Sequence, residues 1–149
     1  MNLILKTILL SLIFLFVGAN FVQAQKNVPV VDYKGHILYG KKQIGQLTKT
    51  GSLDHAGKAV TKLDSYGNVV DSTGKTLGKP AKGQNFVYYF KDKPEQFSIG
   101  EPSHSGMCEV KNSKGEIVML LHENYKAQAA CAVHCLYENK CMPESKMQQ

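Results

Sequence analysis

The sequence contains neither arginine nor tryptophan, and both absences limit what the protein surface can bind. Arginine provides the planar set of donors that phosphate groups and guanine bases accept, so its absence argues against a nucleic-acid-binding protein. The basic residues are all lysines scattered along the chain, which indicates a solvated surface at a formal net charge of +6. Without tryptophan, only tyrosines can provide an aromatic ligand surface. The candidates are Tyr33, Tyr39, Tyr66, Tyr88 and Tyr89.

Sequence motifs that hold cofactors or nucleophiles are also missing. No glycine-rich phosphate loop opens a helix, and no serine-elbow motif occurs. Lys126 occupies the position at which a zinc-protease motif beginning at His122 would need its second histidine. We therefore predict no cofactor, and the sequence favours a non-catalytic protein over an enzyme.

The first 24 residues have the features of a secretory signal peptide. Lys6 supplies a positive charge, residues 8–17 form an apolar run, and residues 22–24 form a small-residue cleavage site. No second long apolar run follows, so we expect no transmembrane segment in the mature chain, 25–149. That length suits a single domain, and the predicted location is the periplasm or the extracellular space.

Glycines recur at a step of sixteen residues, at Gly35, Gly51, Gly67 and Gly83. Tetrapeptides that begin with Asp or Asn and end with Gly lie at 32–35, 54–57, 64–67, 71–74 and 112–115. This pattern is typical of type I β-turns, because the first side chain accepts from a backbone N–H within the turn and glycine tolerates the exit conformation. The chain is therefore predicted to be mainly β, a meander of about five β-hairpin repeats in a barrel-like or flower-like array.

Three further segments are predicted to be strands. Residues 85–90 include a run of apolar and aromatic residues, and residues 107–111 and 116–121 flank the last turn. Residues 91–106 contain two prolines and little periodicity, so we expect an irregular loop there. Residues 26–31 can pair as a short first strand.

The C-terminal part of the chain has a different composition. From residue 124 to residue 138 the chain lacks glycine and proline and is rich in alanine, which favours an α-helix over about 124–138. Tyr125, Ala129, Val133 and Leu136 recur at helical spacing and predict one buried stripe. The small alanines would let this helix approach the sheet closely.

Four cysteines in a chain predicted to be exported favour two disulfides: Cys108, Cys131, Cys135 and Cys141. Cys131 and Cys135 lie one helical turn apart with side chains directed along the helix, so we disfavour a bond between them. The pairing then joins Cys108 to one helical cysteine and Cys141 to the other, with both arrangements open. Either arrangement would attach the helix to a strand.

An enzyme is the alternative hypothesis. It would be a small hydrolase or a zinc-dependent enzyme that uses His122, Glu123 and His134. Cys131 and Cys135 share one side of the predicted helix with His134 and would be zinc ligands, completed by another cysteine or by His122. Their spacing matches no established zinc motif, so no metal site is assigned.

The stretch KGEIVMLLHENYKA at 114–127, followed by CAVHC at 131–135, is similar to small exported bacterial proteins described as five-fold β-flower proteins. The glycine-spaced hairpins upstream extend the resemblance over most of the predicted mature chain. The resemblance implies a radial set of β-hairpins in a family of unknown function, and it supplies no catalytic residues. Together with the missing catalytic motifs, it leads us to expect an exported, non-catalytic binding or structural module. Its unknown partner would be an envelope or extracellular glycan or protein.

Overall fold

Eleven β-strands close into one barrel in the structure, a computed structural model that describes residues 27–141. The strands are β1 (Val30–Val31), β2 (His36–Tyr39), β3 (Lys42–Thr48), β4 (Gly51–Asp54), β5 (Ala59–Leu63), β6 (Val69–Val70), β7 (Thr76–Pro80), β8 (Phe86–Phe90), β9 (Lys93–Ile99), β10 (Met107–Lys111) and β11 (Ile117–His122). A 3-10 helix (Glu123–Gln128) and one α-helix, α1 (Ala129–Tyr137), follow. The predicted mainly β, barrel-like fold with a C-terminal helix is confirmed.

Each strand from β1 to β10 pairs antiparallel with the next strand in the chain, as expected for a succession of hairpins. The barrel closes where β1 pairs with β11 in parallel, placing Val30 opposite Leu120 and Val31 opposite Leu121. The Leu120 N–H extends this seam by donating to the Pro29 carbonyl at 2.9 Å. A closed barrel leaves no unpaired sheet edge.

The five predicted turns form as expected. In each, the N–H of the final glycine donates to the first residue's carbonyl at 3.0–3.1 Å, and the first residue's side chain accepts from two later N–H groups. The glycines have φ between +78° and +85°, a region that side chains disfavour. Ser103–Gly106 is a sixth turn of this geometry, which the sequence analysis missed because it begins with serine.

One predicted loop contains a strand. β9 lies within the segment 91–106 and pairs with β8 along its length, from Phe86 opposite Phe97 to Phe90 opposite Lys93. Its sequence is largely polar and includes Pro94, so neither alternation nor β-propensity indicates it. The segment is extended because it pairs with the apolar strand β8. The strands have two to seven residues, and the five-hairpin organisation with a 16-residue period stays a prediction.

The helical segment starts close to the predicted position, but only its second half is α-helical. Tyr125 has non-helical angles (φ −118°, ψ 19°) inside the 3-10 helix, whose first turn is capped by the His122 side chain. In α1 every residue from 129 to 135 is buried, rather than one stripe. Because a helix buried on all sides must be surrounded, α1 lies inside the barrel, where it contacts β3, β4, β7 and β8.

Small residues make room for the helix. A Cβ atom added at Gly78 of β7 would lie 2.9 Å from the Ala130 Cβ of α1, closer than two such atoms can approach. Side chains from the strands fill the remaining interior. They are Val31, Ile37, Leu47, Val69, Leu77, Phe86, Tyr88, Phe97, Val110, Met119 and Leu121.

A disulfide joins Cys135 of α1 to Cys141, as in one of the two arrangements that the sequence leaves open. Cys108 and Cys131 are instead separate buried thiols. The Cys131 side chain contacts the Thr61 hydroxyl on β5, whereas Cys108 lies on β10, at the opposite side of the barrel. The predicted second bridge is therefore not formed, because Cys131 and Cys108 lie against different sides of the barrel.

The predicted signal peptide, residues 1–24, lies outside the described residues. Within residues 27–141, neither helix has the length and apolar character needed to cross a membrane.

Candidate functional site

A groove of about 590 Å³ lies beside the seam between β1 and β11, close to the turn at 32–35 and to the Ser103–Gly106 turn. It is lined by Val30, Asp32, Tyr33, Ser105, Met107, Leu120, His122 and Asn124. Apolar side chains form most of its floor, and polar groups stand at its margin. Its volume is within the range of about 300–1,000 Å³ that small-molecule sites occupy.

His122 is the central polar residue of this groove. It ends β11 opposite Met107 of β10, and its Nδ1 accepts a hydrogen bond from the Asn124 N–H at 3.3 Å. Because Nδ1 is the acceptor, the neutral ring carries its proton on Nε2, which is then a donor. The ring of Tyr33 lies edge-on to this imidazole, with 6.5 Å between the ring centroids.

Gly106 lets His122 and Glu123 lie against the backbone of the neighbouring turn. A Cβ at this position would be 2.8 Å from His122 Nε2 and 3.2 Å from Glu123 Oε1. The glycine also has φ +77°, so the turn and the close approach both require it. The Glu123 N–H donates to the Gly106 carbonyl at 2.8 Å, which fixes the start of the 3-10 helix beside the groove.

Asp32 places a carboxylate at the groove margin. Burial alone would raise the pKa of Asp32, but hydrogen bonds from the His36 N–H and imidazole and from the Lys34 N–H hold it below its usual value. The imidazole bond joins His36 Nδ1 to Asp32 Oδ2 at 2.9 Å. The groove therefore has a fixed negative charge and no lysine in its lining, which disfavours an anionic ligand.

The residues of the alternative enzyme hypothesis are not brought together. His122 and Glu123 are at the groove, whereas His134 is in the barrel interior with its Nδ1 2.6 Å from the Tyr88 hydroxyl oxygen. The groove serine, Ser105, bonds to Ser103 at 3.0 Å. In the described part of the chain, no hydrogen bond joins His122 or Glu123 to a hydroxyl or thiol.

The zinc set of the alternative hypothesis is also dispersed. Cys135 is bonded to Cys141 and therefore has no thiolate to offer. Burial raises the pKa of the Cys131 thiol to about 11, which opposes the deprotonation that metal binding needs. Across residues 27–141, no three His, Cys, Asp or Glu side chains are grouped closely enough to hold a metal ion.

The five candidate tyrosines do not share one surface. Tyr33, Tyr39 and Tyr66 are exposed by 62%, 53% and 84%, but they come from separate turns and strand ends, and only Tyr33 lines the groove. Tyr89 is half-buried on β8. Tyr88 is fully buried, which corrects its prediction as a ligand-surface residue. Successive side chains alternate between the two faces of β8, so Tyr88 faces the barrel interior while Val87 and Tyr89 face the other way.

Sequence reasoning missed the groove itself. Met107, Leu120 and Asn124 carry no chemical motif, and they meet Tyr33 only because β1 and β11 pair. Comparisons with protein-family models, with curated proteins and with solved structures found no match. The site therefore has to be interpreted from its own geometry.

Proposed function

We propose that this protein is an exported, non-catalytic binding module that holds a neutral ligand in the groove between Tyr33 and His122. The observation that carries this proposal is an exposed aromatic ring beside an apolar floor, with a donor at His122 Nε2 and an acceptor at Asp32. A sugar ring or an extended peptide offers a matching combination of apolar faces and hydrogen-bonding groups. The ligand would be an envelope or extracellular glycan or protein, met in the periplasm or outside the cell.

The predicted signal peptide supports the proposed location, and the Cys135–Cys141 disulfide is compatible with an oxidising compartment. The similarity to five-fold β-flower proteins, and with it the five-hairpin repeat, belongs to the same proposal. The succession of hairpins and the glycine-ended turns support this similarity.

Tyr33→Ala tests the groove, and Tyr66→Ala is the matched control because Tyr66 is more exposed and lies outside the groove. Neutral oligosaccharides, among them N-acetylglucosamine oligomers, would be titrated against the labelled protein and followed by the NMR signals of Gly106 and His122. Loss of a stacked aromatic contact should weaken binding by about tenfold in Tyr33→Ala and leave Tyr66→Ala unchanged.

A protein ligand would be sought with the same pair of variants as affinity baits for envelope fractions. It should bind the unaltered protein and Tyr66→Ala but not Tyr33→Ala. If neither class of ligand distinguishes the two variants, the groove is not a binding site and the proposal is wrong.

A further inference from the structure

A second concavity, of about 170 Å³, lies where the 3-10 helix approaches the turn between β7 and β8. We propose that this pocket, defined by Lys79 and Lys126, is a binding site for a small organic acid. It is distinct from the groove: its lining shares no residue with the groove, and the charge of its lining has the opposite sign.

The two lysines reach the pocket from different elements. Lys79 lies near the end of β7, and Lys126 lies in the 3-10 helix, where it is partly buried. Neither forms an ion pair with an acidic side chain in the part of the chain that the structure describes. Each lysine carries its charge at the end of a long flexible side chain, so both ammonium groups can reach a carboxylate held in the pocket.

No acidic side chain lines the pocket to neutralise these lysines. The nearby turn that ends at Gly67 contains Asp64, which does not line the pocket and whose carboxylate bonds within its own turn. It accepts from the Tyr66 N–H at 2.9 Å and from the backbone and side-chain amides of Asn68 at 2.9 and 3.0 Å. Gln84 and Asn85 also line the pocket, and a side-chain amide N–H can donate to a carboxylate.

Apolar surface completes the pocket and narrows the ligand class. The Val69 and Phe86 side chains belong to the barrel core and reach the pocket floor. Since one water occupies about 30 Å³ in the liquid, the volume accommodates roughly five or six water-sized groups. A carboxylate with a short hydrocarbon chain matches this size, charge and floor, whereas inorganic phosphate has no apolar part to bury.

The turn that carries the two amides is ordered by its own backbone. The Ala81 N–H donates to the Asn85 carbonyl at 2.9 Å, directly before β8 begins at Phe86. The pocket is therefore formed without a ligand, and binding requires only the placement of two lysine side chains.

The test titrates butyrate into the isotopically labelled protein and follows the amide signals of Gly67, Gly83 and Ala127. We expect saturable shifts with a millimolar dissociation constant. Butyramide, which has the same shape without the charge, should bind at least about tenfold more weakly, because a charge-assisted hydrogen bond is worth about 1.5–3 kcal/mol. This comparison uses the unaltered protein and needs no variant to fold.

Variants assign the effect to the two lysines. Lys79→Gln and Lys126→Gln should each weaken butyrate binding by about fivefold or more, and the double variant should remove saturation. Lys114→Gln, at an exposed turn outside the pocket lining, is the matched control and should bind butyrate normally. Tyr33→Ala should also bind butyrate normally, so the result is independent of the groove.

Three outcomes would overturn the proposal. They are shifts without saturation, equal binding of butyrate and butyramide, and unchanged binding in the double lysine variant. Inorganic phosphate that bound as tightly as butyrate would also contradict it, because recognition would then depend on charge alone and the apolar floor would have no part in it.

Discussion

The hydroxyl oxygen of Tyr88 lies 2.6 Å from Nδ1 of His134, and this hydrogen bond joins the barrel wall to the helix inside it. Both residues are buried, Tyr88 completely and His134 to 7% exposure. Burial lowers the pKa of His134 and raises that of Tyr88, so both side chains are neutral near pH 7 and share one hydrogen-bonding proton. The pair has the geometry of a structural contact within the core.

Removal of the Tyr88 hydroxyl should destabilise the protein. Tyr88→Phe keeps the ring packed against Phe90 but leaves His134 Nδ1 without its partner, which should lower the free energy of unfolding by about 1–3 kcal/mol. Tyr89→Phe, at the next and half-buried position of β8, is the control and should change stability by less than about 0.5 kcal/mol. Urea unfolding measures both. Equal effects of the two substitutions would show that the hydrogen bond contributes nothing.

Stability should fall as the solution becomes mildly acidic. Burial holds the folded-state pKa of His134 below 6.5, with Glu138 and Asp71 opposing the shift and Lys140 adding to it. The unfolded chain therefore binds the proton more readily, so this contribution is complete above about pH 7 and is lost as the pH falls below 6.5, by at most about 1.4 kcal/mol per unit. Urea unfolding between pH 5 and 8 would measure the slope.

His134→Gln should flatten that slope, because glutamine does not titrate. His104→Gln, in an exposed loop, is the control and should retain the slope. A slope unchanged by His134→Gln would assign the pH dependence to other groups.

The oxidised protein should contain two thiols and one disulfide. Cys108 and Cys131 are fully buried, and burial raises the pKa of both, so neither should react with an alkylating reagent in the folded protein. Denaturation without a reductant should make two thiols per chain reactive, and peptide mass spectrometry should find Cys135 linked to Cys141. A protein without free thiols, or a disulfide that contains Cys108, would contradict the structure and favour the two-bridge prediction made from the sequence.

Substitution by alanine should lower the stability of the protein by different amounts at two glycines that have nearly the same φ angle. Gly57 has φ +82° and open space around it, so Gly57→Ala should cost only the backbone penalty of about 1–2 kcal/mol. Gly35 has φ +84°, and a Cβ there would lie 2.8 Å from the Tyr125 ring and 2.5 Å from the Leu47 carbonyl oxygen. Gly35→Ala should cost a further 1–3 kcal/mol or so in thermal or urea unfolding. Equal costs would mean that the Gly35 turn is not packed against the 3-10 helix.

The sequence predicts the parts of this fold that depend on short-range chemistry. An Asp at the first turn position and a Gly at the fourth are sufficient to form a turn, because the bonds of the Asp64 turn, for example, all lie within five residues. β9 could not be predicted in this way, since its pairing with β8 gives an otherwise polar segment its extended conformation. The residues of β8 itself were predictable from their aromatic and β-branched side chains.

Long-range contacts determine the features that could not be predicted from the sequence. A stripe of buried residues was predicted for the helix, because a helix on a sheet surface buries one face. Enclosure by the barrel buries seven consecutive residues instead, and the alanines provide the small size that this requires. The groove likewise depends on the seam, which brings Tyr33 to His122 from opposite ends of the described chain.

The seam between β1 and β11 is the pairing with the longest separation along the chain, which makes it the slowest one to form on topological grounds. Neighbouring hairpins can form within microseconds, but Val30 and Leu120 are about ninety positions apart and must find each other across an otherwise complete ribbon. Until they meet, the barrel is open, and the cysteines that the closed barrel buries are accessible to oxidants. We therefore expect rapid barrel closure to protect the thiols of Cys108 and Cys131, and slow closure to expose them to oxidation.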